Sequence, residues 1–251
     1  MKYGICPISL APLRLQAADA SEMVSQVLYG ELFKVIEHRK KWSRIRLHLD
    51  GYEGWIDNKQ YQEIDSIDYH KLIDDNFAFA KDPISIVTHS DETLSTLTIG
   101  AQVSSAAYFQ DSVANQQSID EEDIAKSNLI NTALLFLNAP YLWGGKSPLG
   151  VDCSGFTQLV YRLNDFHLKR DASEQATQGE VLSFIEESEP GDLAFFDNAD
   201  GDITHVGIIM QDNHIIHAHG KVRIDRLDQS GIYNAQLNTH THKLRVIKKM
   251  I

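Results

Sequence analysis

Residues 42–56 read WSRIRLHLDGYEGWI. From Trp42 to Leu49 apolar and polar side chains alternate with a period of two, which suits a half-buried strand and not a helix. Asp50-Gly51 supplies a reversal and residues 52–56 a returning strand, so the stretch is predicted to be a β-hairpin. Residues 32–37 (LFKVIE) add another strand. Short strands, tight turns and few helical patterns make the first sixty residues a small barrel. Residues 65–80 read as a connecting segment or a short helix. From Pro83 the β character returns, with strands at 84–88 and 96–103 and a further one at 104–109. Gly100-Ala101-Gln102-Val103 echoes Gly30-Glu31-Leu32-Phe33, which suggests a second, degenerate barrel by duplication.

The period changes in the second half. Residues 115–123 are polar and acidic and read as an interdomain connection. A helical spacing follows at Ile124, Leu129, Ile130, Ala133, Leu134 and Leu137, closed by Pro140. After a turn at 143–148, a second helix is predicted from Asp152 through Leu163. The remainder alternates in strand fashion at 192–196, 205–210 and 214–219, with a hairpin turn at Asp212-Asn213 and a polar edge strand around the THTH run of residues 239–242. Helices followed by an antiparallel sheet define an α+β domain.

Composition narrows the function classes. The 251 residues carry 23 basic and 35 acidic side chains, a net charge of −12, with 43% apolar residues. That balance belongs to a globular protein and argues against a nucleic-acid or anionic-membrane binder, which needs basic patches. Two cysteines, Cys6 and Cys153, make no disulfide framework and suit a reducing compartment. No segment approaches the roughly 18 apolar residues of a bilayer span. Pro7, Pro12 and Arg14 interrupt any leader-like run. The expected location is the cytoplasm, or the cell envelope if a leader has been removed.

Cys153 lies at the predicted start of a helix. Free backbone N–H groups and the helix dipole there favour a thiolate and can stabilise an oxyanion. Taken alone it is more readily a buried structural cysteine, and Asp152 a helix cap. A nucleophilic cysteine needs a base, and the base an orienting group. His205 opens an apolar strand, and His217 lies on the next one. A hairpin between them brings the two imidazoles close. Strand alternation puts His217 and His219 on one face, so spacing does not choose between them.

The succession GELFKVIEH, WSRIRL and DGYEGWI resembles a bacterial SH3-like domain over residues 10–60. YLWGG, DCSGF, GDLAFF, HVGI and IIHAHG, in that order, resemble the NlpC-type cell-wall peptidases, a papain-like cysteine peptidase branch, over residues 120–250. Together they resemble the dipeptidyl-peptidase subgroup that trims cell-wall peptides. The implied organisation is multi-domain: SH3-like barrels at 1–60 and 61–114, then an α+β papain-like domain at 115–251.

The resemblance implies hydrolysis of the γ-D-glutamyl bond to diaminopimelate or lysine. It places Cys153 as nucleophile, His205 as base and His217, from the H-A-x-G pattern, as the orienting residue. It implies substrate contacts from Tyr141, Asp152, Ser154, Asp171 and Ser173, the last two in a segment of R-D-x-S type. From the first barrel it implies Glu31 and Tyr52, reading a free amino terminus. No cofactor or metal is implied. The partners are peptidoglycan-derived peptides; nucleic acid and membrane insertion are not expected, and the chain is expected to be a monomer.

Two other readings compete. The 11 histidines raise a zinc-dependent hydrolase, but neither H-E-x-x-H nor paired C-x-x-C is present. Tandem barrels could also belong to a non-catalytic wall-binding protein; the Cys–His–His set speaks against it.

Overall fold

The computed structural model describes residues 2–75, 77–114, 126 and 128–251. The expected connection at 115–123 and Ile124 lie outside them. The described chain divides into two compact units, one holding the N-terminal residues to 114 plus Trp143–Pro148, the other 126–142 plus 149–251.

The first unit is built on an antiparallel seven-stranded sheet: β1 (Lys2–Ile5), β2 (Leu10–Arg14), β3 (Met23–Leu28), β4 (Leu32–His38), β5 (Trp42–Leu47), β6 (Glu53–Asp57) and β7 (Gln62–Ile64). Their spatial order is β3-β2-β6-β5-β4-β1-β7. The alternation in β5 does what it must: Ser43, Ile45 and Leu47 are buried while Arg44 and Arg46 are exposed. Both arginines pair with Glu53 on β6, at 2.7 and 2.6 Å. The strand stops at Leu47, two residues before the alternation does, and the loop to β6 is wider than a two-residue turn. Asp50 Oδ1 takes the Tyr52 N–H at 2.9 Å and Gly51 sits at φ +74, an Asx-type turn that ends pairing early.

Inward residues of all these strands meet in one core around Phe33, Leu13, Val27, Ile45 and Ile56. Burying a side chain such as Phe33 contributes about 2–3 kcal/mol. Strand β7 pairs with β1 and so extends the first sheet past residue 60. Helix α1 (Ser66–Asp74) follows, its first N–H groups at Ile67 and Asp68 capped by Asp65. Tyr69 and Leu72 on its buried face cover Tyr3, Ile5 and Ile64.

The second β region is a three-stranded sheet of β8 (Ile84–Thr88), β9 (Leu94–Thr98) and β10 (Ser112–Val113), ordered β10-β8-β9. Gly30 and Gly100 both take positive φ, +77 and +84. A β-carbon on Gly30 would meet Gln102 O at 2.1 Å, so glycine is obligatory where these two turns touch. Residues 104–109 are not the expected strand. Val103–Ser105 forms a 3-10 turn and Ala106–Phe109 helix α2, closed by Gln110 in the left-handed region with its N–H on Ala106 O. Paired alanines favour this turn over a strand, and none of the six residues from 104 to 109 is β-branched.

The second unit opens with α3 (Asn128–Leu134). Its buried stripe is Leu129 and Ala133, continued by Phe136 and Ala139 in the turns that follow, while Leu134 and Leu137 are exposed. The two-residue strand β11 (Lys146–Ser147) belongs to the segment of the first unit; in the second, β12 (Gly150–Val151) precedes α4 (Cys153–Arg162), all ten of whose residues are buried. After the short α5 (Ala172–Gln175) come β13 (Glu180–Leu182), β14 (Leu193–Asp197), β15 (Ile203–Met210), β16 (His214–His219), β17 (Lys221–Asp228), β18 (Gly231–Asn234) and β19 (Thr239–Lys249).

Strand β19 pairs with β14 through residues 243–248 and with β18 through residues 239–243. The strands β14 to β19 therefore close into an antiparallel ring, with β13 added on β19. The THTH run is consequently no edge: His240 lies opposite Tyr233 and His242 opposite Ile232. No helix among the described residues is long and apolar enough to cross a membrane.

Candidate active site

The site is assembled where α4 packs against β15 and β16. Asp152 is the N-cap of α4. Its Oδ1 accepts the Gly155 N–H at 2.6 Å, and its carboxylate is gripped by Arg170 through Nη1–Oδ1 at 3.0 Å and Nη2–Oδ2 at 2.6 Å. Arg170 is itself 1% exposed and also reaches Ser154 Oγ at 3.0 Å. Gln175 donates to the carbonyls of Ser154 and Lys169 and accepts from Thr157, tying α5 to the first turn of α4. This buried network fixes the helix end on which Cys153 sits.

Cys153 occupies the first position of α4. Burial pushes its thiol up to about 12, and Asp152 pushes the same way. Backbone hydrogen bonds at Val206 and Ser154, with the Arg170 charge, pull against them. The resting sulfur is thus a thiol. Its backbone partner Val206 is the residue next to His205.

His205 is the third residue of β15. The β15–β16 hairpin turns where both Asp212 and Asn213 have positive φ, 56 and 57, as a tight right-twisted hairpin requires. The resulting register sets Gly207 opposite His217. A β-carbon at Gly207 would lie 2.8 Å from His217 Cβ, so the missing side chain is what lets the His217 ring lie over the strand. His205, two residues back on the same face, meets it: Nε2 of His205 is 2.8 Å from Nδ1 of His217.

The chain of contacts continues. His217 Nε2 lies 3.0 Å from Asp225 Oδ2 on β17, and Arg223 holds Asp225 at 2.9 Å from Nη2 to Oδ1. A carboxylate only accepts, so His217 carries its proton on Nε2 and leaves Nδ1 bare. His205 must then donate from Nε2, which leaves its own Nδ1 unprotonated. Asp225 therefore sets both tautomers and makes His205 Nδ1 the nitrogen free to take a proton.

Burial drives the His205 pKa well below 6.5, and the neighbouring imidazoles of His217, His242 and His219 add to that. Burial also lowers His217, against the opposing pull of Asp225. For Asp225, burial works upward, but its bonds to His217 and Arg223 prevail and its pKa is lowered. Both shifts favour the neutral forms of the thiol and the imidazole.

Of the other residues singled out in the sequence, Tyr141 is half-buried, with its N–H on Gly220 O at 3.0 Å. Burial and the charges of Cys153 and Asp152 raise its phenol to about 12, so it is a hydroxyl donor. Asp171 stands at the N-cap of α5, whose backbone carbonyl takes the Glu174 and Gln175 N–H groups. Ser173, the second residue of α5, is exposed.

Glu31 and Tyr52 belong to the first unit. Glu31 is 2% exposed, takes the Leu28 N–H at 2.8 Å and pairs with the fully buried Lys146 at 3.3 Å. Tyr52 packs half-buried against the first core.

Two residues of the site escaped the sequence reading. Asp225 lies in KVRIDRLD, where the apolar phase changes from Val222 and Ile224 to Leu227, so alternation alone does not single it out. His242 was assigned to a polar edge. Through the β18–β19 pairing it instead stacks on His205, centroids 4.2 Å apart at 26°.

Comparison with known proteins bears on the fold and the domains. Residues 138–241 match the NlpC/P60 family and residues 13–60 the bacterial dipeptidyl-peptidase SH3 domain. The chain carries an NlpC/P60 domain behind an SH3-like domain and is a cysteine peptidase. It is 26% identical over 237 residues to gamma-D-glutamyl-L-lysine dipeptidyl-peptidase of Bacillus cereus, covering 82% of this chain and 70% of that one. To the protein of that name from Bacillus subtilis it is 28% identical over 228 residues, 82% and 75% of the two chains. To dipeptidyl-peptidase 6 of Lysinibacillus sphaericus it is 27% identical over 252 residues, 87% and 90%. The fold is that of the crystal structure of an NlpC/P60 family protein from Bacillus cereus, with a TM-score of 0.77 at 18% identity over 99% of both chains.

Proposed function

We propose that this cysteine peptidase hydrolyses the γ-D-glutamyl bond to lysine or diaminopimelate in short cell-wall peptides. Cys153 is its nucleophile and His205 its base. The observation that carries the reading is the hydrogen-bonded line Asp225–His217–His205, which leaves His205 Nδ1 bare, beside a thiol whose backbone contact is Val206.

The chemistry follows from those positions. His205 Nδ1 takes the thiol proton as the sulfur attacks the γ-carbonyl carbon, and the imidazolium that forms is stabilised through His217 by Asp225. The carbonyl oxygen becomes an oxyanion held by the Cys153 N–H at the start of α4 and by the Tyr141 hydroxyl. His205 then returns its proton to the leaving amine of the diamino acid. Water, deprotonated by His205, attacks the thioester, and the γ-glutamyl product leaves with the thiol restored. Each step conserves protons within the Cys153–His205 pair and the substrate.

Support for the substrate class comes from the relatives named above and from the motif resemblance. The dipeptidyl mode, in which Glu31 and Tyr52 read a free amino terminus, is carried by the resemblance. Mass spectrometry of L-Ala-γ-D-Glu-diamino-acid peptides tests both parts. Release of the diamino acid from peptides with a free amino terminus, and not from N-acetylated ones, is the expected result. Equal cleavage of the blocked peptides overturns the dipeptidyl mode, and no cleavage of either overturns the substrate.

A further inference from the structure

His242 packs against the catalytic imidazoles without a place in the proton line. One ring nitrogen from each of His205, His217 and His242 lies within 4.8 Å of the other two. Bonds of about 2.0–2.1 Å to a tetrahedral zinc ion put ligand nitrogens about 3.3 Å apart; because each nitrogen lone pair lies in its ring plane, the His242 ring must turn out of its stack on His205 for the three to share one ion. The outer contacts are those a metal site requires. His217 would offer Nδ1 while its Nε2–H is held by Asp225, a carboxylate–histidine–metal arrangement. His242 keeps Nδ1 on Thr241 Oγ1 at 2.9 Å, which leaves Nε2 for the metal. His242 is partly exposed, which gives the ion a way in, and His219 lies alongside with its ring centroid 4.7 Å away.

We infer that His205, His217 and His242 form a site for a borderline transition-metal ion such as Zn²⁺, and that filling it switches the peptidase off. The ion would take the place of the proton shared between His205 Nε2 and His217 Nδ1. A neutral imidazole bound through Nε2 carries its single proton on Nδ1. Metal binding thus moves the His205 proton from Nε2 to Nδ1 with no net release, and Nδ1 ceases to be a base. The fourth position is left to water. The effect on activity rests on the role of His205 proposed above; the binding does not.

The test uses the full chain and Zn²⁺ alone. In Cys153→Ala, titration against a chromophoric chelator is expected to give one bound equivalent, weakened at least about tenfold by adding His242→Gln or His242→Asn. In the active protein, Zn²⁺ is expected to inhibit reversibly, with EDTA restoring the rate. In the His242 variants half-inhibition, taken against each variant's own metal-free rate, should need at least about tenfold more zinc. Co²⁺ in the unsubstituted chain should give tetrahedral d–d bands with no sulfur-to-metal charge-transfer band, a readout that needs no His242 variant. Loss of Zn²⁺ binding in Cys153→Ala, a sulfur charge-transfer band, or unchanged zinc sensitivity in folded His242 variants would each overturn the proposal. Zinc binding to Cys153→Ala with no peptidase activity in the parent chain would leave the site standing and remove the catalytic reading.

Discussion

Burial and a nearby carboxylate raise both thiols to about 12, but only Cys153 has a cation beside it and two backbone hydrogen bonds pulling it down. Cys6, in the core of the first barrel, points its sulfur at two carbonyl oxygens, Ile8 at 3.4 Å and Val27 at 3.6 Å. Burial and the Glu31 charge hold the Cys6 thiol up, and only a backbone hydrogen bond at Ile8 pulls against them. Cys153 lies at a helix N-terminus with backbone hydrogen bonds at Val206 and Ser154 and the Arg170 charge nearby, all of which favour the thiolate. Burial therefore does not separate a structural thiol from a reactive one; the polarity of the groups facing the sulfur does.

The largest expected effect breaks that contrast directly. Cys153→Ala should lower kcat by at least about four orders of magnitude with little change in the thermal midpoint. Cys6→Ala should keep kcat and cost about 1 kcal/mol in urea unfolding. Activity surviving in the first variant, or vanishing in a folded second one, would erase the distinction.

Next in size is Asp225→Asn. An amide can donate to His217 Nε2, reversing the tautomer line, so kcat should fall on the order of a hundredfold or more with the fold retained. Imidazole ¹⁵N shifts should show the His217 proton moving off Nε2, which a purely structural role for Asp225 would not produce.

Gly207→Ala is smaller again. Its methyl would press on the His217 Cβ, costing about 1–3 kcal/mol and lowering kcat at constant KM. A neutral result in both denaturation and kinetics would mean His217 does not depend on the vacancy at 207.

The pH profile is the finest probe. His205 acts as a neutral base and its pKa is lowered, so activity should persist as pH falls through 6.5 and be lost only below it. An acid limb of kcat/KM above 6.5 would mean the imidazole is more hydrated than its burial implies.

Much of this was legible before the structure because it rests on local pattern. The β5 alternation, the Asp212-Asn213 turn and the capped start of α4 are decided by residues within a few positions of one another. So is the placing of His205 and His217 on one face. What could not be read depends on pairing between distant segments. Asp225 joins the site only because β17 lies beside β16, and His242 only because β19 pairs with β18 across a register shift at Ile232/Tyr233. The ion pair of Glu31 with Lys146 links residues 115 apart in sequence. The misread segment at 104–109 failed for a different reason: six residues without β-branched side chains carry too little strand preference to resist a helical turn.

The ring in the second unit has one further consequence. Strands β14 and β18 acquire their second neighbour only from β19, the last strand in chain order. During synthesis, every strand that contributes His205, His217 and Asp225 leaves the ribosome while the sheet still has two bare edges. The seam is sealed by the segment that also delivers His242. A nascent chain at that stage would be vulnerable to edge-to-edge association, and its maturation would be timed by the arrival of this final strand.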